Sequence, residues 1–308
     1  MRRTFFIVGP TAIGKSELAA EVAGEIRAEI VSADAFQIYR GLDLLTAKPD
    51  ASTLAKARHR LIGTIPLAKE MTAEKYRRAA SRVIDEIHSR DRLAIVVGGS
   101  GLYIKALTHG LAPLPESDRK LREKLNALSL DELRSRLAQL DPEAGRNIDT
   151  KNRRRVARAL EICLLTGKPA SSAFAKATAD KPIPATGVFV YRDREELYQR
   201  INQRVEAMFE NGVIEEVRAA GPTSVTASQM IGLRDIRELL GGRMSLLQCI
   251  AQIQQSTRRY AKRQLTWFRR QTNFLPLNLS LLSHNEARIL LRMHSELRGC
   301  SEVRTRDD

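Results

Sequence analysis

Residues 9–16 constrain the fold of this chain more than any other part of its sequence. They read GPTAIGKS and satisfy the pattern G-x-x-x-x-G-K-[ST]. The apolar run at residues 5–8 predicts a strand before this segment, and the apolar spacing over residues 16–26 predicts a helix after it. In that setting, glycines let backbone N–H groups turn around an anion, and the helix N-terminus adds partial positive charge. The segment predicts a diphosphate or polyphosphate site, and by itself it does not imply ATP hydrolysis.

The members of this loop carry separate expectations. The Lys15 ammonium is placed to reach terminal phosphate oxygens, and the Ser16 hydroxyl is placed to ligate Mg²⁺, the expected cofactor. The alternative is a glycine turn that merely happens to precede a Lys-Ser pair. The loop residues predicted to bind the diphosphate are Gly9, Pro10, Thr11, Ala12, Ile13, Gly14, Lys15 and Ser16.

Alternation of strands and helices continues through the first third of the chain. Residues 29–32 and 93–97 predict strands, and the second run is apolar throughout, as in a strand buried on both faces of a parallel sheet. Between them, residues 71–88 show the spacing of an amphipathic helix. The pattern predicts an α/β fold, in which a P-loop NTPase-like parallel sheet is flanked by helices.

The pattern changes after Pro113 and Pro115. Residues from about 117 to 165 are helical and charged, and residues 166–186 predict a low-complexity loop rich in Ala, Ser, Lys and Pro. A strand at 187–191 then resumes the first style, followed by helices at 194–211 and about 245–271 and a strand at 274–279. We expect a catalytic core of residues 1–116 plus 186–280, an all-helical insertion of 117–185, and a C-terminal helix with a frayed tail over 281–308.

Composition narrows the function classes. No apolar run approaches the ~20 residues needed to cross a bilayer, so no membrane role is expected. The apolar stretch near the start is too short for a signal peptide, and three widely separated cysteines fit a reducing cytoplasm. The chain carries 51 Lys+Arg against 36 Asp+Glu, a formal charge of +15. Such a surplus favours a polyanionic partner, although a basic chain can also simply be soluble.

Two further segments follow predicted strands. Asp34 comes after the strand at 29–32, at the sheet edge where ligands bind in open α/β folds, so it is a candidate general base or an indirect Mg²⁺ partner. A helix N-cap is the structural alternative for Asp34. Ser100 lies in a second glycine turn, where its hydroxyl either meets the same anion or caps a helix.

These segments resemble a known family. GPTAIGKS, SADAFQIYRGLD with TAKP, and VGGSGLYIKAL match in order and spacing the tRNA dimethylallyltransferases, and matches continue to about residue 275. The later segments are RRVARALE, RINQR, QMIGLR and KRQLTW. The resemblance implies transfer of a dimethylallyl group from its diphosphate to N6 of the adenosine 3′ of the anticodon (position 37) in tRNA. It also implies that Asp34 is the base, that Ser100 donates to the bridging oxygen, and that the insertion binds tRNA.

The resemblance also assigns binding residues. Arg200 and Arg204 lie four apart on one predicted helix face, and the match favours Arg204 as a diphosphate ligand; a solvated face bridged to Glu196 is the alternative for Arg200. Arginine-rich stretches at 151–158 and 258–270 suit phosphate contacts and base stacking. The residues expected to contact tRNA are Asp34, Ala35, Phe36, Gln37, Ser100, Arg122, Arg154, Arg155, Arg158, Gln229, Gly232, Arg234, Lys262, Arg263, Trp267 and Arg269.

Some positions of the chain differ from the family pattern, and the sequence leaves other functions open. Leu45 stands where the family usually has glycine, Gly63 ends a segment that differs from the family pattern, and residues 170–181 look like an addition. The expected partners are the tRNA anticodon stem-loop and dimethylallyl diphosphate, with no DNA, and the expected state is a monomer. The alternatives are a P-loop kinase of a small metabolite, an isopentenyl transferase acting on free adenine nucleotide, and an RNA-binding scaffold with a degenerate site.

Overall fold

Strands that are apolar on both faces form the centre of the protein. In the computed structural model, which describes residues 4–112, 114–175 and 186–297, the sheet is parallel throughout and has the order β3-β2-β4-β1-β5-β6. Every residue of β1, β2 and β4 is buried, as expected for strands covered by helices on both sides. The strands are β1 (Thr4–Val8), β2 (Glu29–Ser32), β3 (His59–Arg60), β4 (Ala94–Gly98), β5 (Thr186–Tyr191) and β6 (Leu275–Asn278).

The helices fall into two compact units of the chain. Residues 1–108 with 183–308 form the first unit, and residues 109–182 form the second. The first unit contains α1 (Lys15–Glu25), α2 (Ala51–Lys56), α3 (Ala73–His88), α4 (Gly101–Thr108), α10 (Arg194–Glu210), α11 (Val213–Ala219), α12 (Leu233–Leu240), α13 (Leu246–Gln271) and α14 (His284–Leu297). The second unit contains α5 (Arg119–Ala127), α6 (Leu130–Leu140), α7 (Ala144–Asn147), α8 (Arg153–Thr166) and α9 (Ala170–Ala175).

The predicted α/β core with a helical insertion is confirmed as a fold class, whereas its limits differ in detail. The second unit starts at residue 109 rather than 117, because the chain leaves the first unit directly after α4. The C-terminal helix belongs to the first unit, where Ala287 and Leu291 are buried in the apolar cluster that also holds β1 and α1. The predicted frayed tail at residues 301–308 lies outside the described residues.

One local prediction is wrong. Residues 170–175, expected as loop, form α9. Alanine is the strongest helix former, and Asp141 fixes the start of this helix by accepting bonds from the Ser171 N–H and hydroxyl, both at 2.8 Å. The rest of the expected loop, residues 176–185, lies outside the described residues. Among the described helices, none is long and apolar enough to cross a membrane.

Candidate functional site

Three loops meet at one edge of the sheet, because the strands before them are neighbours. The order β2-β4-β1 brings together the carboxyl ends of these strands. Asp34 follows β2, residues 99–101 follow β4, and the loop of residues 9–14 follows β1. The edge predicted for Asp34 is therefore the edge where the phosphate-binding motif lies.

The backbone of the loop offers fewer N–H groups than its motif implies. Gly9 N–H donates to the Gly98 carbonyl at 3.3 Å, and Thr11 N–H donates to Oε1 of Gln264 at 3.0 Å. Pro10 has no N–H to donate. The amides left for an anion are those of residues 12–16, at the N-terminus of α1, where helical N–H groups have no intrahelical acceptor.

Two arginines hold the outer side of this loop. Arg200 Nε donates to the Ala12 carbonyl at 2.9 Å, and Arg192 Nε donates to the Ile13 carbonyl at 3.1 Å. Glu196 pairs with Arg192 at 2.6 Å, and no ion pair between Glu196 and Arg200 is found among the described residues, so the alternative for Arg200 is not supported. These bonds fix the Ala12 and Ile13 carbonyls, so the role that the structure shows for Arg200 is to position the loop.

Lys15 and Arg204 are partly desolvated cations that face Asp34. Burial lowers the pKa of Lys15 to about 8 and the pKa of Arg204 to about 10, and the Asp34 carboxylate opposes both shifts. Lys15 Nζ donates to the Pro10 carbonyl at 2.9 Å. Arg204 Nε is buried and has no hydrogen-bond partner. Such an orphaned donor beside a desolvated ammonium is the electrostatic setting of an anion site.

Asp34 and Ser100 order the turn between β2 and α2. Asp34 Oδ1 accepts the N–H groups of Phe36 at 2.9 Å and Gln37 at 3.2 Å. The alternative that Asp34 caps a helix is wrong, since residues 35–38 form a turn and no helix follows directly. Ser100 Oγ accepts the Ala35 N–H at 2.9 Å, and the Ser100 hydroxyl also hydrogen-bonds the Tyr260 side chain.

A cavity opens from this charged edge into an apolar wall. The empty space there, counted together with its opening to solvent, is about 640 Å³. Its polar lining comes from Thr11, Asp34, Thr46, Arg204 and the hydroxyls of Thr257 and Tyr260 on α13. The segment after β2 and the chain from α10 to α13 supply the apolar lining, which consists of Phe36, Leu45, Ala47, Val205, Met208, Phe209, Val213, Met230, Ile231, Ile236 and Ile253. A ligand with an anionic head and a short hydrocarbon tail fits such a lining.

Gln264 is a structural link that the sequence did not reveal. Besides accepting the Thr11 N–H, its Nε2 donates to the Gly99 carbonyl at 2.8 Å, and the side chain is 5% exposed. Tyr260 and Trp267 lie one turn to either side of it on α13: Tyr260 contacts Ser100, and the Trp267 ring covers Gly101. In sequence this segment resembled a basic helix, and only the structure shows that Gln264 is buried among its cations.

Comparisons with known proteins agree with this geometry. The sequence model of the IPP transferase family matches residues 37–271. The chain belongs to the IPP transferase family. A tRNA dimethylallyltransferase of Akkermansia muciniphila is 43% identical over 268 residues, covering 87% of this chain and 90% of that protein. A tRNA dimethylallyltransferase of Geobacter sulfurreducens is 44% identical over 273 residues, covering 86% and 88%.

A solved structure extends the likeness to the fold. The tRNA isopentenylpyrophosphate transferase from Bacillus halodurans matches with a TM-score of 0.70 at 32% identity, covering 98% of this chain and 99% of that chain. The family resemblance drawn from the motifs is thereby confirmed, and this IPP transferase is an enzyme of the prenyl transferase class.

Some residues of this IPP transferase that are predicted to contact tRNA are exposed, and others pack against or bond to the rest of the protein. Lys262, Arg263 and Arg269 are exposed on α13, where Arg263 lies over the Tyr260 ring. Trp267 is half-buried, because its indole packs directly against Gly101. The contact is so close that a Cβ at position 101 would lie 2.5 Å from the ring. One face of that ring is therefore unavailable for stacking on a base.

The segment from Gln229 to Arg234 divides in the same way. Gln229 and Arg234 are exposed, whereas Gly232 is buried. A Cβ at Gly232 would meet Ile253 Cδ1 at 3.0 Å and Leu45 Cδ1 at 3.1 Å, so this glycine faces the apolar wall and not a tRNA surface. Its φ of +89° also favours glycine. The contact of Gly232 with tRNA stays a prediction, and the structure shows Gly232 buried against this wall.

Within the second unit, the predicted arginines have different surroundings. Arg122 and Arg158 bind the buried carboxylate of Glu161, at 2.5 and 2.6 Å. Burial raises the pKa of Glu161, but these hydrogen bonds outweigh burial and hold that pKa below its usual value. Arg154 and Arg155 are exposed on the first turn of α8. The exposed pair has the accessibility that a polyanion contact requires.

Ser16 is the one residue predicted to hold Mg²⁺. Among the described residues, no group of three or more His, Cys, Asp or Glu side chains forms a metal cage. This does not conflict with the prediction, since Mg²⁺ commonly keeps several waters and binds through few protein oxygens plus substrate phosphates. The Ser16 hydroxyl, a hard oxygen in the first turn of α1 and beside Lys15, fits that mode of binding.

Proposed function

We propose that this IPP transferase transfers a dimethylallyl group from dimethylallyl diphosphate to N6 of the adenosine 3′ of the anticodon in tRNA and releases diphosphate. The observation that carries the proposal is the junction of two desolvated cations, Lys15 and Arg204, with an apolar cavity beside Asp34. A diphosphate at the cations would direct its hydrocarbon tail into the cavity. The names of the relatives support the same substrate pair.

The donor's leaving group gains negative charge as the allylic carbon–oxygen bond breaks. The N–H groups of residues 12–16, the Lys15 ammonium and the free Arg204 Nε are the donors that would stabilise this charge. The Ser100 hydroxyl, which hydrogen-bonds Tyr260, would turn its proton to the bridging oxygen of the donor. Because Arg192 and Arg200 already fix the loop, little reorganisation is needed when the charge develops.

The acceptor nitrogen needs help from a base. The N6 lone pair is delocalised into the purine, so the nitrogen is a weak nucleophile until it loses a proton. As the new nitrogen–carbon bond forms and the carbon–oxygen bond to diphosphate breaks, the N6 proton passes to Asp34. Asp34 uses Oδ1 for the turn, and Oδ2 is outside those bonds. The exposed face of α13 and Arg154 and Arg155 would hold the tRNA backbone, and the adenine would leave its stack to reach Asp34.

A magnesium ion fits this proposal through Ser16. When bound, the ion would neutralise part of the charge on the diphosphate. All residues named for the chemistry come from one chain, so a monomer suffices.

The test is an assay of purified protein with Mg²⁺, dimethylallyl diphosphate and unmodified tRNA, followed by mass analysis of the nucleosides. The proposal expects prenylated adenosine and free diphosphate. Replacing tRNA by AMP tests the free-nucleotide alternative, and replacing the prenyl donor by ATP and a phosphate acceptor tests the kinase alternative. Product from AMP at the rate seen with tRNA, or no product from tRNA, would contradict the proposal.

A further inference from the structure

Leu45 occupies the apolar wall of the cavity at a fixed position. Its side chain is 8% exposed and lines the cavity. The loop that carries it is tied to α11, because the Glu216 carboxylate accepts the N–H groups of Leu44 and Leu45, each at 2.9 Å. A bidentate carboxylate of this kind fixes the direction in which the Leu45 side chain leaves the backbone.

The wall behind Leu45 is closed. Gly232 faces it with no side chain, and even a Cβ there would lie 3.1 Å from Leu45 Cδ1 and 3.0 Å from Ile253 Cδ1. Leu45, Gly232 and Ile253 therefore meet in close contact, and their arrangement leaves no slack for movement of the Leu45 side chain away from the cavity.

From this contact we infer that Leu45 sets the length of the prenyl group that the enzyme accepts. The inference rests on the proposed function, in which the diphosphate lies at Lys15 and Arg204 and the hydrocarbon extends along the apolar wall. A five-carbon dimethylallyl group fits beside a full leucine side chain. A donor longer by one isoprene unit, geranyl diphosphate, has to take the space that Leu45 and Ile253 fill.

The experiment compares the two donors on matched variants. Leu45→Ala removes the side chain beyond Cβ. Leu44→Ala is the control, because the Leu44 N–H is also held by the Glu216 carboxylate but its side chain does not line the cavity. Equal concentrations of dimethylallyl and geranyl diphosphate compete for the same tRNA, and the two prenylated adenosines are separated by mass. We expect Leu45→Ala to raise the geranyl-to-dimethylallyl product ratio by about 10- to 200-fold, the discrimination that one or a few methylenes give in an apolar pocket. Leu44→Ala should keep the wild-type ratio.

A second variant guards against a folding defect in the first. Ile253→Val removes Cδ1, the atom nearest to Gly232, from a different element and leaves the rest of the side chain. It should shift the ratio in the same direction and by less. The inference is wrong if neither variant shifts the product ratio and at least one of them still transfers the dimethylallyl group.

Direct binding separates this inference from the proposed function. Calorimetry with each diphosphate measures the ratio of the two dissociation constants without any transfer to tRNA. A Leu45→Ala shift toward the longer donor in a protein that does not prenylate tRNA would uphold the inference and contradict the proposed function. Wild-type protein that binds neither donor would contradict both.

Discussion

Asp34 uses its two carboxylate oxygens differently. Oδ1 accepts two backbone N–H groups and so orders the turn, whereas the proposed proton transfer needs an oxygen outside those bonds. Loss of the whole carboxyl would therefore disturb structure and chemistry together. Asp34→Asn keeps an acceptor oxygen for the turn and removes the basic group, so it isolates the chemical role.

We expect Asp34→Asn to lower the single-turnover rate of prenyl transfer by about 10²- to 10⁴-fold, the usual contribution of a positioned general base. The affinity for tRNA and the thermal midpoint should stay near the wild-type values, because the turn retains its acceptor. Filter binding and a thermal melt provide these controls. A variant that transfers the prenyl group at the wild-type rate would show that the N6 proton goes elsewhere.

The lowered pKa of Lys15 predicts a pH dependence of donor binding. The free protein has this pKa at about 8, and a bound diphosphate favours the charged ammonium and raises it. Binding then takes up a proton above pH 8, so affinity is constant below that pH and falls as pH rises. Between pH 7 and 9 the dissociation constant for dimethylallyl diphosphate should rise about tenfold.

Lys15→Arg is the matched control for this pH dependence. Its guanidinium stays protonated throughout that range, so its binding curve should be flat between pH 7 and 9 whatever its absolute affinity. Calorimetric titrations at three pH values measure both proteins. A flat curve for the wild-type protein would mean that Lys15 is not the proton acceptor in binding.

At the scale of elements, α13 connects the expected tRNA surface to the phosphate loop. Its outer face carries Lys262, Arg263 and Arg269, and Gln264 on its buried face bonds both glycine loops at once. Movement of this helix therefore changes the position of Thr11 relative to Gly99. The bond to Thr11 also decides which loop amides remain for the diphosphate.

Gln264→Ala should leave the Thr11 N–H and the Gly99 carbonyl without partners. Each buried polar group left without a partner costs about 1–3 kcal/mol, so the free energy of unfolding measured in urea should fall by that amount or somewhat more. The KM for the prenyl donor should also rise. Gln255→Ala, which removes an exposed glutamine of the same helix, should change neither quantity. Unchanged donor KM in folded Gln264→Ala protein would limit Gln264 to a purely stabilising role.

In the second unit, α8 carries the exposed arginines Arg154 and Arg155 as well as Arg158, which is paired with Glu161. Arg154→Ala with Arg155→Ala should weaken tRNA binding and reduce the slope of log affinity against log salt by about 1.4–1.8, the value for two phosphate contacts. Thermal stability should not change. Equilibrium binding at several salt concentrations measures the slope, and an unchanged slope would remove this pair from the tRNA interface.

Arg122→Ala or Arg158→Ala should behave differently, because each leaves the buried Glu161 carboxylate partly uncompensated. Breaking a buried ion pair costs about 3–5 kcal/mol, and the partner arginine that remains should reduce the loss. The depressed pKa of Glu161 means that its stabilisation is present at neutral pH and is lost as pH falls through that pKa. Chemical denaturation at neutral and acid pH measures the effect, and a variant as stable as wild type would contradict it.

At the scale of the whole molecule, much of the fold was predictable because it depends on local patterns. Alternating strands and helices placed β1, β2, β4 and β5 within a residue or so of their observed bounds. The glycine motif and the strand order then brought Asp34, Ser100 and Lys15 to one edge. Short elements such as β3 were missed, because two residues carry no periodic signal.

The contacts within the site were less predictable, because they join residues far apart in sequence. Gln264 and Thr11 are separated by 253 positions, and nothing local shows that they are bonded. Glu216 likewise holds the Leu44–Leu45 backbone from another helix. Sequence patterns indicated which residue types were available, and tertiary packing decided which of their atoms were already occupied.

The most direct measurement of the central claim is a crystal structure of this enzyme with an unreactive analogue of dimethylallyl diphosphate and an anticodon stem-loop. We predict that the diphosphate accepts bonds from the amides of residues 12–16 and from Arg204 Nε, and that the flipped adenine presents N6 to Asp34. A diphosphate bound away from Lys15 and Arg204, or an adenine N6 beyond hydrogen-bonding distance of Asp34, would contradict the account.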